Sequence, residues 1–138
     1  MGIQWTADLA VGVPAIDQQH KEIFRRVDAL LEASAKGAGR EKLAELLPFL
    51  GSYVIQHFGD EEKAMKSAGY PEYPRHKQLH AAFLAEFVAL KKRYEAEGAS
   101  TALTLEVQRK VVEWLLHHIK REDKAVGAFI QSKKAALV

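Results

Sequence analysis

Histidine spacing constrains this chain more than any other feature. Between His57 and His80 the sequence runs HFGDEEKAMKSAGYPEYPRHKQLH. His57 and Glu61 stand four residues apart, as do His76 and His80, with Gly69, Pro71 and Pro74 between the two pairs. Four residues turn an α-helix through about 400°, so each pair returns to within about 40° of one face. Two helices joined by a Tyr-Pro loop and packed antiparallel would aim both pairs at a common point.

The rest of the chain supplies the partners for such packing. Residues 1–15 alternate loosely, with Ile3, Trp5, Leu9, Val11 and Val13 apolar and Gly12 and Pro14 opposing a helix. They are read as an extended arm laid over one end of the domain. From Ile16 the period changes: Ile16, His20, Ile23, Val27 and Leu30 follow four- and three-residue steps, giving an amphipathic helix over about 16–36. A second helix, about 41–66, carries Leu43, Leu46, Leu50, Val54, His57, Glu61 and Met65 on one side, and Gly69 with Pro71 stops it. Asp60 and Glu62 flank that stripe and are expected to be solvated.

A third helix, about 74–97, starts at Pro74, a residue suited to the first helical position, and runs through His76, His80, Phe83, Phe87 and Leu90 to Gly98. Ser100 or Thr101 can cap a fourth, about 101–121, striped by Val107, Val111, Trp114, Leu115 and His118. Its phase puts His117 on the surface. A short amphipathic segment over 122–133 and a basic tail complete the chain. The expected fold is all-α: one domain, an up-down-up-down antiparallel four-helix bundle with an N-terminal arm and a short C-terminal helix.

Composition narrows the chemistry. With no cysteine in 138 residues, disulfides, thiolate zinc sites and Cys-ligated clusters are excluded, so nitrogen and oxygen must hold any metal. A formal charge of +2, with no basic stripe interleaved with aromatics, argues against nucleic acid as a partner. No apolar run approaches the length of a membrane span, and the first residues lack a secretory leader, so a cytoplasmic protein is expected; a monomer is its expected state. Gly2 with Thr6 fits the short myristoylation pattern, which concerns address rather than chemistry.

Five of the six histidines, His20, His57, His76, His80 and His118, fall on buried stripes. One such histidine is ordinarily a hydrogen-bonded core residue. Five are different, because each imidazole needs partners for two nitrogens and few inward Ser, Thr, Asn or Gln are at hand. Metal on one nitrogen and an acceptor on the other is the economical solution. Five imidazoles and a buried Glu61 exceed a tetrahedral zinc site and suit two carboxylate-bridged ions of higher coordination number. Imidazole with carboxylate suits iron, and ligand type alone leaves manganese and zinc open. A second bridging carboxylate belongs near His118. Periodicity favours Glu122, four residues on, over Asp123, about 140° round an ideal helix, and both stay open on geometry. Glu-x-x-His motifs, glycine-rich phosphate loops and nucleophile elbows are absent. A haem between two histidines would leave three others and Glu61 unexplained.

VGVPAIDQQH at 11–20, HFGDE at 57–61, GYPEYPRHKQLH at 69–80 and WLLHHIKRED at 114–123 together resemble the single-domain bacterial hemerythrins over nearly the whole chain. The resemblance implies a non-haem di-iron centre with an oxo or hydroxo bridge that binds O2 reversibly. It implies that His76, His80 and His118 hold one iron, His20 and His57 the other, and that Glu61 and Asp123 bridge them. Asp123 would then require the helix to distort near Arg121. Phe58, Trp114, Leu115 and Ile119 occupy positions that surround the bound gas in the family. The expected function is O2 carriage, storage or delivery rather than enzymatic turnover, with any protein acceptor of the O2 unidentified. The alternatives are a di-iron redox enzyme acting on peroxide or nitric oxide, and an oxygen- or redox-sensing module.

Overall fold

The computed structural model describes residues 3–136. Gly2, part of the myristoylation pattern, and the last residues of the basic tail lie outside them. Four long helices form an up-down-up-down antiparallel bundle: α1 (Pro14–Ala35), α2 (Gly39–Ala68), α3 (Tyr73–Glu97) and α4 (Thr101–His118). A five-residue π-helical segment, Ile119–Asp123, joins α4 directly to α5 (Lys124–Ala136). No helix among the described residues is long and apolar enough to cross a membrane.

Local chemistry explains the helix ends. Pro14 lies in the first turn of α1, where a missing N–H costs nothing; the helix therefore starts before the expected Ile16. Asp17 reaches back from that turn to accept the backbone N–H of Val11 at 2.8 Å and of Gly12 at 3.3 Å. Helix α2 runs unbroken past an exposed Pro48. It ends at Gly69, whose φ of 72° lets the N–H of Tyr70 return to the carbonyl of Met65 at 3.0 Å. Ser100 caps α4 by accepting from the N–H of Leu103 at 3.0 Å.

Two elements differ from the expected layout. The N-terminal arm is not extended throughout, since Ala7–Leu9 form a single 3-10 turn, although Ile3, Leu9 and Val11 are buried. The C-terminal helix is present but starts later than the expected residue 122: α5 follows the π-helical segment without a break and is pinned by close packing. Gly127 lies so near the carbonyl of Val11 that a Cβ there would collide with it, and Lys133 donates to the carbonyl of Ala68 at 2.5 Å.

The alternating helix directions decide where the site lies. His20 is in the first turns of α1, His57 and Glu61 in the later half of α2, His76 and His80 at the start of α3, and His118 at the end of α4. In an antiparallel bundle these positions share one end. Leu30, Leu43, Leu46, Leu47, Leu90, Leu103 and Val107 fill the other end as a dry core. Gln108 and Thr104 are polar residues buried there, Gln108 donating to Ser34 of α1 and Thr104 to the carbonyl of Ser100.

Candidate metal centre

All seven residues named above as ligands are buried, none more than 4% exposed. Their side-chain donors fall into two overlapping groups, within each of which the donor atoms lie within 4.8 Å of one another. One group is Glu61, His76, His80, His118 and Asp123; the other is His20, His57, Glu61 and Asp123. The two carboxylates belong to both.

The π-helical segment explains how Asp123 joins. Its wider turn is closed by the N–H of Lys124 bonding to the carbonyl of Ile119, five residues back. One extra residue per turn brings a side chain five places after His118 to the face that a regular helix gives to the fourth. Asp123 therefore points inward at 2% exposure. Glu122, favoured by simple periodicity, points outward and pairs with Arg75 at 2.5 Å.

Each carboxylate divides its oxygens. Glu61 Oε1 lies 2.6 Å from His76 Nε2 and 3.2 Å from His80 Nε2, while Oε2 is 3.8 Å from His57 Nε2. Asp123 Oδ1 lies 3.1 Å from His76 Nε2 and 3.0 Å from His118 Nε2, while Oδ2 is 3.1 Å from His20 Nε2. The Nε2 atom of His118 also stands 3.1 Å from that of His76 and 3.2 Å from that of His80. All five imidazoles thus turn Nε2 inward.

Behind them, the outer nitrogens of two histidines find acceptors that periodicity alone did not identify. His57 donates from Nδ1 to Gln19 Oε1 at 2.6 Å, and Gln19 donates from Nε2 to Asp60 Oδ2 at 2.7 Å. His80 donates from Nδ1 to Glu62 Oε2 at 2.9 Å. The expectation that Glu62 is solvated is therefore corrected, since it leans over α3 to His80, whereas Asp60 is exposed as expected and also accepts from Gln19 of α1. The clue was present, since a metal-facing imidazole needs an acceptor behind it.

The electrostatics are those of a crowded polar pocket. Burial lowers the His57 pKa to about 4, against the pull of Glu61. Burial also disfavours charge on His76, but contacts with Asp123 and Glu61 prevail and raise its pKa to about 9. Burial would raise Asp123; the imidazoles of His118, His20 and His76 outweigh it and hold the carboxyl well below its ordinary range.

An apolar cavity adjoins the centre, touching His20, His57, His118 and Asp123. Phe58, Trp114, Leu115 and Ile119 line it together with Ile23, Leu50, Val54, Phe83 and Val111. Its free volume is about 10 Å³, the scale of one water-sized molecule. Phe58 stacks on His80 at 3.8 Å between ring centroids, and Trp114 stacks on His118 at 4.2 Å. Aromatic faces thereby seal two imidazoles from solvent.

Whether these residues fit a metal pair can be read from the unsatisfied atoms. Both oxygens of Glu61, Oδ1 of Asp123 and both nitrogens of His20 are buried without a hydrogen bond of acceptable geometry. The carboxylate oxygens and His20 Nε2 are close to one another's partners but not aimed as hydrogen bonds require. Lone pairs converging from five imidazoles and two carboxylates suit cations, and the set fits a two-metal site.

Comparison with known proteins agrees. The Hemerythrin HHE cation binding domain matches residues 11–130. The chain is 34% identical to a bacteriohemerythrin of Methylococcus capsulatus, covering 89% of this chain and 92% of that one. It is 30% identical to a myohemerythrin of Theromyzon tessulatum, covering 87% of each. A wild-type hemerythrin crystal structure superposes with a TM-score of 0.79 at 33% identity, over 93% of this chain and 97% of the other. By sequence, fold and the donor set at one end of its bundle, the chain belongs to the hemerythrin family.

Proposed function

We propose that this protein binds O2 reversibly at a di-iron centre and serves oxygen carriage, storage or delivery without catalytic turnover. The observation that carries this reading is the division of donors around Glu61 and Asp123, three imidazoles to one side and two to the other. His76, His80 and His118 would hold one iron, His20 and His57 the second, with the carboxylates common to both. An iron pair, when bound, supplies electrons that O2 borrows and returns.

The protein's own part is to position and exclude. The two-histidine side has fewer protein donors, and both of its imidazoles line the cavity, as against His118 alone from the other side. Phe58, Trp114, Leu115 and Ile119 make the approach apolar, which admits a small neutral gas and resists water, protons and anions. Gln19 and Glu62 hold the outer nitrogens of His57 and His80, so those rings keep Nε2 directed inward.

Oxygen uptake by the reduced, iron-loaded protein tests this. Stoichiometric uptake, released on lowering the O2 pressure and repeatable over several cycles, is expected. Sustained consumption of O2, peroxide or nitric oxide in the presence of a reductant would instead make the protein an enzyme.

A further inference from the structure

Three successive acidic residues on α2 face three ways. Glu61 enters the centre, Asp60 reaches across to α1, and Glu62 reaches across to α3. Their targets differ in kind. Glu62 bonds His80 directly, so a carboxylate stands behind one imidazole of the three-histidine side. Behind the two-histidine side, the acceptor bonded to His57 is the neutral amide of Gln19, with the Asp60 carboxylate one bond further out.

Asp60 has a specific consequence for Gln19. An amide can present either its oxygen or its NH2 group to a neighbour. A carboxylate accepts only, so Asp60 claims the NH2 group and leaves Oε1 facing His57. The imidazole must then carry its proton on Nδ1 and keep Nε2 free. With the amide reversed, Nε2 would carry the proton and could not ligate. A carboxylate on the bundle surface thus governs which nitrogen of a buried imidazole is available.

We infer that Asp60 and Gln19 are positioning residues that fix the tautomer of His57, and that the neutral Gln19 opposed to the anionic Glu62 makes the two sides of the centre unequal as donors. A carboxylate behind an imidazole draws its proton outward and enriches the ring, strengthening its bond to a metal. An amide does so less. The two-histidine side is therefore the poorer in electrons, and its cation the stronger Lewis acid. This rests on the di-iron reading above, but its test does not depend on O2 binding.

The test uses iron-loaded full-length protein, followed by the metal-shifted, solvent-exchangeable N–H proton resonances of the imidazoles and by the midpoint potential of the iron pair. In Asp60→Ala, exchange of the His57 Nδ1 proton with solvent should quicken by roughly one to two orders of magnitude, the factor for losing a hydrogen bond to a charged group. The His80 resonance should stay unchanged. Gln19→Glu, nearly isosteric, should shift the potential to more negative values, and Glu62→Gln should shift it to more positive values. An unchanged His57 resonance in Asp60→Ala, or potentials that do not move in opposite directions in the two conservative variants, would overturn the inference. Iron content and helical signal, measured alongside, separate these outcomes from a failure of the centre to assemble.

Discussion

Asp123 follows His118 by five residues, yet its Oδ1 lies 3.0 Å from His118 Nε2. A regular α-helix would place those side chains about 140° apart. The π-helical segment Ile119–Asp123 removes that angle, and local widening of this kind tends to occur at functional sites. It also turns Glu122 out to Arg75, so two adjacent carboxylates acquire opposite roles.

The first prediction separates them. Asp123→Ala should abolish assembly of the iron pair, whereas Glu122→Ala should keep full iron content. The latter removes only an ion pair with a half-exposed Arg75, which solvent screens, so the melt should barely move. Iron per chain, with thermal melts of both variants, decides the matter. Loss of iron in Glu122→Ala alone would reverse the assignment.

The pH dependence of the metal-free protein follows from three buried groups. His57 falls from an ordinary 6.5 to about 4 on folding, so between those values the unfolded chain takes up a proton that the folded one refuses. Stability therefore drops as the pH falls from about 6.5 to about 4. Asp123 adds a further loss below its ordinary 3.8. His76, raised to about 9, contributes fully below 6.5 and loses that contribution as the pH climbs to about 9. Denaturant midpoints should thus peak near pH 6.5 and decline on both sides. Metal-loaded protein should lack the alkaline decline, because a coordinated imidazole has already given up its proton.

Leu115 tests the apolar wall. It is 5% exposed and lines the cavity. Leu115→Ala should cost about 2–5 kcal/mol of stability and enlarge the cavity enough to admit water. The oxygenated form should then decay faster at unchanged iron content, as followed by its visible absorbance. A decay rate equal to that of the parent protein would remove Leu115 from the role of water barrier.

Two glycines should respond with opposite signs to the same substitution. A Cβ at Gly127 would strike the carbonyl of Val11, a backbone atom that cannot swing aside. Gly127→Ala should destabilise by about 1–3 kcal/mol and loosen the arm from α5. Gly59, inside α2, has nothing within 4 Å of an added Cβ. Gly59→Ala should stabilise by about 0.5–1 kcal/mol through reduced backbone entropy. Denaturant unfolding of the pair would show whether the arm packs as described.

Much of the site was legible from periodicity. His20, His57, Glu61, His76, His80 and His118 each continue an apolar stripe, and a helical period of 3.6 is enough to place them inside. Asp123 was not legible in that way, because the residue count that normally tracks helical phase fails across a π turn. Only the resemblance singled it out. Glu62 and Gln19 escaped for another reason: each sits beside a buried position, where a long side chain can lean either into solvent or across to a neighbouring helix. The junction of α4 with α5 was similarly hidden, since a wide turn carries no proline or glycine to announce it.

The central claim is an oxygen-binding iron pair. Its most direct test is the iron content of the purified protein together with its visible spectrum in the reduced state, after O2 is admitted and again after degassing. The account predicts about two irons per chain, one for each donor group, and an absorption band that appears with O2 and vanishes on degassing. A protein that stays colourless and takes up no iron on reconstitution, or one whose band persists unchanged after degassing, would contradict it.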